Sequence, residues 1–200
     1  MIILVASVVL GTGVVIYGTS LFQSSGQQEA IATQGIKVWV NATDTTGVAW
    51  GAVGVRNTGD KLVSVDSIIV RGTSVPFTQW YADRNQTAVS TDNFQSQYIE
   101  NDVDATGKMK DSATLTAYPG CPAAGATVLK IDFDGSAGSK KSLCLLQQSG
   151  PSALNPGERM IIYFKIANGL ISPVDSGSAS SVSVFAGKTG APTSVTIGNF

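Results

Sequence analysis

Apolar and polar positions follow two regimes along this chain. Residues 1–22, MIILVASVVLGTGVVIYGTSLF, carry no charge, and the first charged side chain is Glu29. Wound as a helix at ~1.5 Å per residue, this run reaches about 33 Å, enough to cross a bilayer. Its apolar positions lie on all sides of such a helix, which suits lipid or the inside of a bundle and not one face of a globular core. No basic n-region precedes the run and no small-x-small site closes it, so it does not read as a secretory signal peptide. From Gln23 to Gln34 the chain turns polar, and QQEAIATQ remains compatible with an amphipathic continuation. Gly35 suits a helix C-cap. The pattern therefore predicts one helix over residues 1–34. Within it Ser7 and Gly11 form a small-xxx-small pair, Gly13 and Gly18 add notches, and Val9 sits near the middle. Small residues allow close helix approach, although glycine is also simply common in membrane helices.

Beyond Gly35 the period changes to two. Ile36, Val38 and Val40 alternate with Lys37, Trp39 and Asn41. The runs AWGAVGVR (49–56) and LVSVDSIIVR (62–71) follow, separated by Asn57-Thr58-Gly59-Asp60. Short alternating runs bounded by Asn, Gly and Asp predict strands. Further strands are expected at 113–117, 128–133, 142–147, 159–166, 181–185 and 194–197. DGSAGS (134–139) reads as a hairpin loop and Asn155-Pro156-Gly157-Glu158 as a turn. Residues 84–111 are polar and read as long surface loops. Many short strands at regular spacing fit a sandwich or an incomplete barrel. The expected class is α+β: a long hydrophobic N-terminal α-helix (1–34), then an all-β, sandwich-like head (35–200).

Composition narrows the chemistry. Lys and Arg number 13 against 14 Asp and Glu, a net charge of -1, so nothing draws the chain to nucleic acid or an anionic surface. Charged residues make up only 14%, and glycine with small hydroxylated residues fills the remainder. Histidine is absent, which removes the commonest general base and metal ligand. The sequence carries no nucleophile elbow, zinc-ligand pair, phosphate-cradling loop or Cys-x-x-Cys. The expectation is a non-enzyme without cofactor or metal. Glu100, Asp102 and Asp104 crowd one loop, and Asp132, Asp134 and Gly135 open like a calcium loop. A hand-type loop would need glutamate where Leu143 stands, so solvated turn carboxylates are the better reading. Trp39, Trp50 and Trp80 read as core or subunit-contact aromatics. Cys121 and Cys144 bracket a Gly/Ala/Ser-rich stretch; joined, they would close a loop of about 24 residues, worth ~3 kcal/mol in the chain-entropy model and at home in an oxidising compartment. Two unrelated buried thiols are the alternative. Asn41-Ala42-Thr43 and Asn85-Gln86-Thr87 are N-glycosylation sequons, a motif that also arises by chance in a Thr-rich chain.

Three stretches carry a resemblance: the uncharged run LVASVVLGTGVVIYGTSLFQ with its polar turn QQEAI, the segment GIKVWVN…GAVGVRNTGDKLVSVDSIIVRG, and the late strand NPGERMIIYFKI. Together they resemble archaeal type IV pilins and archaellins over about half of the chain. The resemblance implies a mature subunit whose basic leader a prepilin peptidase has removed, and Val5 where bacterial members commonly carry a glutamate. It also implies an apolar helix held in the cytoplasmic membrane, then packed by an assembly platform into the centre of a cell-surface filament of many copies. The head would face outward, often glycosylated. A pilus for adhesion or cell contact is the expected function, with an archaellin of a rotating filament as the alternative in the same class. From another class comes a membrane-anchored monomeric β-sandwich that binds a ligand. That reading expects a Pro/Gly/Ser stalk, and only SSGQQEAIATQG intervenes.

Overall fold

The computed structural model describes residues 29–41, 47–83, 122, 127–132 and 142–199. The described chain is β-rich, with short 3-10 turns and no α-helix among its described residues. The described residues form eleven strands: β1 (Ile31–Val40), β2 (Ala49–Asn57), β3 (Val63–Val70), β4 (Thr73–Ser74), β5 (Trp80–Asp83), β6 (Val128–Asp132), β7 (Ser142–Gln147), β8 (Ser152–Leu154), β9 (Arg159–Ile166), β10 (Ala179–Ala186) and β11 (Thr189–Asn199). They join into one curled, half-barrel sheet in the order β4-β3-β10-β11-β1-β2-β9-β5-β7-β6, with β8 against β3. Of the two architectures that the strand pattern allows, the incomplete barrel is the one observed. The expected two-sheet sandwich is corrected to a single sheet folded over on itself.

The fold turns on β11. Thr189–Thr196 pair antiparallel with β10, and the same strand then runs parallel to the end of β1, Val38↔Ile197 through Val40↔Asn199. A strand that changes partner in this way makes the corner between two layers. The concave side encloses one core: Val38 and Val40 of β1, Val53 and Val55 of β2, Ile68 and Val70 of β3, Ile162 and Phe164 of β9, Val182 and Val184 of β10, and Trp80. Inward residues alternate along each strand, as period two requires.

The helix expected over 1–34 is corrected at its end. Ile31–Gln34 pair with Asn57–Gly54 as strand, so β1 starts four residues before the boundary expected at Gly35. IATQ is ambiguous in isolation, and the registered partner decides it. Gly35 has φ 60, the conformation a C-cap would need, but it serves a bulge in β1 between Gln34 and Lys37. Residues 1–28 lie outside the described part.

The convex face of β1, β2, β9 and β5 is also apolar. Trp39 faces Trp50 across β1 and β2 and stacks on Tyr163 with centroids 6.4 Å apart. Trp50 leans on Tyr81 at 5.8 Å. All four are buried, as is Trp80, so the tryptophans are core aromatics. Burial pushes the Tyr163 phenol well above its usual range.

Candidate assembly and modification sites

The chain enters the head through a braced joint. The Thr58 and Gly59 N–H groups both donate to the Ala30 carbonyl, at 3.0 and 3.2 Å. The Lys188 N–H donates to Glu29 Oε2 at 3.2 Å, and the Thr189 hydroxyl donates to the Glu29 carbonyl at 3.0 Å. Glu29 and Ala30 are thus gripped by the β2–β3 turn and by the β10–β11 hairpin before β1 begins. The β2–β3 turn is itself pinned. Asn57 is fully buried, its Nδ2 donates to the Lys61 and Leu154 carbonyls, and its Oδ1 accepts from the Gly59 N–H.

The opposite end of the head lies about 30 Å away, the length of a ten-residue strand at ~3.3 Å per residue. There Asn41 closes β1, its N–H donating to the Val48 carbonyl at 3.0 Å. The Asn41 sequon therefore sits at the end remote from residue 29; Ala42 and Thr43 lie outside the described residues. At this same end Arg71 occupies the left-handed region, φ 48, followed by Gly72 at φ 79. Positive φ at both central positions marks a type I′ hairpin turn, which normally takes Asn or Gly first. Arginine holds the position with a side chain that crosses to the β9–β10 connection. Its Nη1 donates to Asp175 Oδ2 at 2.9 Å and to the Leu170 carbonyl at 3.2 Å. Asp175 also accepts from the Ser172 N–H at 2.8 Å, completing a capping box around Pro173-Val174-Asp175.

The Arg71 hydrogen bond, then the Ser172 N–H, hold the Asp175 carboxyl below the usual carboxylate range. A folded-state pKa lower than the unfolded one contributes stability above the ordinary carboxylate range and loses it as pH falls through the folded value. Amide exchange of residues 172–178, corrected for its intrinsic pH dependence, should therefore stay slow down to about pH 4 and accelerate only below that. Asp175→Ala, which removes the acceptor, should exchange fast at every pH. Protection unchanged from neutral to strongly acid pH would show that the carboxylate does not hold this loop.

The remaining expected residues divide simply. Ser7, Val9, Gly11, Gly13 and Gly18 lie outside the described residues, as do Asn85, Cys121 and the acidic loop 100–104. Cys144 is described: it is buried on β7, and its N–H donates to the buried Asp83 Oδ2 at 2.8 Å. An open groove of about 400 Å³ runs between β1 and β11, lined by Thr33, Gly35, Ile36, Lys37 and residues 193–196. Hydroxyls alternate with Ile36 and Val195 along it, with Lys37 as the ionisable group. Among the described residues no three His, Cys, Asp or Glu side chains gather as a metal site, and no helix is long and apolar enough to cross a membrane. The hairpin side of the braced joint and the Arg71–Asp175 contact were invisible in sequence, because each joins residues more than 100 positions apart. The one signal was the arginine in a turn position that favours Asn or Gly.

No known family model and no curated protein matches the chain.

Proposed function

We propose that this chain is the structural subunit of an extracellular archaeal filament of the type IV pilus kind, polymerising through its apolar N-terminal segment and serving adhesion or cell contact. The supporting observation is the braced joint. A tethered monomeric binding domain needs a loose stalk, whereas here β1 starts at Ile31 and the two residues before it are held on two sides. A fixed joint suits a subunit that must repeat with one orientation. A contact made by rotation and translation between copies does not close and gives a fibre. The edge of the sheet at β3 is occupied by β4 and β8, two and three residues long, and offers little ladder for strand addition, while the other edge is the five-residue β6. The proposed polymerising element is residues 1–22. These form a hydrophobic helix that rests in the cytoplasmic membrane before assembly and can exchange lipid for copies of itself without burying a charge.

The test is the state of the full chain after detergent removal. Filaments visible by negative stain are expected, since burial of apolar surface at about 25 cal/mol per Å² drives association. A monodisperse, soluble monomer of the full chain would sink the proposal.

On this reading the head is exported, and two modifications follow. Asn41, at the end remote from the joint, and Asn85 carry glycans, which give solubility to a surface poor in charge. Cys144 is joined to Cys121 within one chain. Peptide mass spectrometry of unreduced native material tests both. Unmodified Asn41 and Asn85 would make the sequons chance occurrences, and free thiols at both cysteines would refute the cross-link.

A further inference from the structure

We propose that Glu29 and the β10–β11 hairpin form a clasp that sets the orientation of the head on the segment preceding it, so that every copy presents the Asn41–Asp175 end alike. This orienting role rests on the filament reading above.

The clasp has three parts, each with its own chemistry. The Glu29 carboxylate takes the Lys188 N–H through Oε2, at 3.2 Å. Its carbonyl takes the Thr189 hydroxyl at 3.0 Å. One residue on, the Ala30 carbonyl takes two N–H groups from the β2–β3 turn. The two grips come from opposite sides of the joint. The hairpin belongs to β10 and β11, while the turn belongs to β2 and β3. Together they remove the freedom to swing about the backbone bonds of residues 29 and 30, which a single contact would leave.

The hairpin is shaped for this carboxylate. Gly187 has φ 58, and a Cβ there would stand 2.8 Å from Glu29 Oε2. Glycine thus serves both the left-handed turn and the space the carboxylate fills. The sequence gives Glu29 a further distinction, as the first charged residue of the chain. A carboxylate at this point marks the passage from the apolar run to the head and anchors it to backbone donors. Between β1 and β11 the seam is open over Thr33–Lys37 and residues 193–196, and registered pairing resumes only at Val38↔Ile197. Glu29 and Thr189 therefore close the far end of that seam. Without them the start of β1 would be held by β2, its turn and the packing of Ile31 and Ile36 on the core.

The experiment uses the full chain as wild type, Glu29→Ala, Glu29→Gln and Thr189→Val, with hydrogen exchange read by mass spectrometry in detergent and helical reconstruction of filaments from electron micrographs. Loss of one such hydrogen bond should speed exchange locally about fivefold. Glu29→Ala and Thr189→Val are expected to speed exchange of Thr58 and Gly59, on the opposite grip, as well as around Lys188. Glu29→Gln keeps a carbonyl acceptor and should behave as wild type. In filaments, Glu29→Ala and Thr189→Val should leave the centre ordered and blur the outer density. Exchange confined to the hairpin would show separate contacts and no clasp. Faster exchange at both grips with outer density as sharp as wild type would overturn the orienting role. Variants that respond in exchange as expected, from a wild-type chain that never polymerises, would overturn the filament reading, and the orienting role with it, while leaving the clasp's exchange signature intact.

Discussion

Val9→Asp is expected to abolish polymerisation while the head still folds. Val9 stands near the middle of a run that carries no charge before Glu29. A carboxylate at the centre of such a helix costs about 3 kcal/mol in lipid, and a dry helix bundle offers it no partner either. Against the water-exposed chain left by detergent removal, a penalty of that size lowers association roughly a hundredfold at each added copy, enough to remove filaments at ordinary concentrations. The head draws its stability from elsewhere. Its core lies between Val38 and Ile197, so the β-rich circular dichroism and the thermal transition of the mutant should match those of the wild type. Both halves of the outcome matter. Filaments of normal length from Val9→Asp would show that residues 1–22 are not the polymerising element. Loss of the β signal would show that head and segment fold as one unit. The same change at Val174, an 88% exposed residue at the end remote from the joint, should leave polymerisation untouched.

The strands were largely legible, because β3 shows period two and β7 and β9 are short apolar runs, each bounded by turn residues. Arg159–Ile166 and Ser142–Gln147 match their expected bounds. Three strands went unread: β4 (Thr73–Ser74), β5 (Trp80–Asp83) and β8 (Ser152–Leu154). Each is too short to show a period, and each is strand only because a neighbour supplies the ladder. β11 was read as 194–197 and begins at Thr189. Thr189-Gly190-Ala191-Pro192 looks like a turn, yet all four pair with β10. Proline is tolerated there when its nitrogen faces away from the ladder, and β11 meets β1 in register only from Ile197. Alternation was incomplete at Trp39, which was read as a core or subunit-contact aromatic and is buried. Period two assigns it to the face opposite Val38, which is correct, but says nothing about whether that second face is covered. At the sites, Asn41 was legible as a strand-end sequon. Glu29 was not, because the helical reading of QQEAIATQ placed it mid-helix, where a carboxylate reads as an ordinary solvated side chain.

The fold also makes a sharp demand at Gly51, where β2 meets β9. Gly51 lies directly opposite Phe164 in the β2–β9 register and shares its inward face. Phe164 is fully buried and pairs on its other side with Trp80 of β5. A Cβ at residue 51 would overlap the Phe164 ring at Cζ and Cε2 and stand 3.2 Å from the Lys37 carbonyl. The ring has no exposed side to move toward, so Gly51→Ala should destabilise the head by about 2–3 kcal/mol through overpacking. Phe164→Ala, which empties the same space, should cost about 3–5 kcal/mol. At 2–4 °C per kcal/mol for a chain of this size, that is a fall in Tm on the order of 10 °C. The decisive measurement is the double mutant. With the ring gone, the alanine methyl at 51 enters vacated space, and alanine is favoured over glycine in a strand by roughly 0.5–1 kcal/mol. Gly51→Ala should therefore turn from costly to neutral or stabilising in the Phe164→Ala background, a coupling of about 2–3 kcal/mol with the two changes partly cancelling. Denaturant titration of the four proteins gives this coupling directly. Additive losses would mean that Phe164 does not lie on Gly51 in solution, and that the β2–β9 register at the centre of the sheet is wrong.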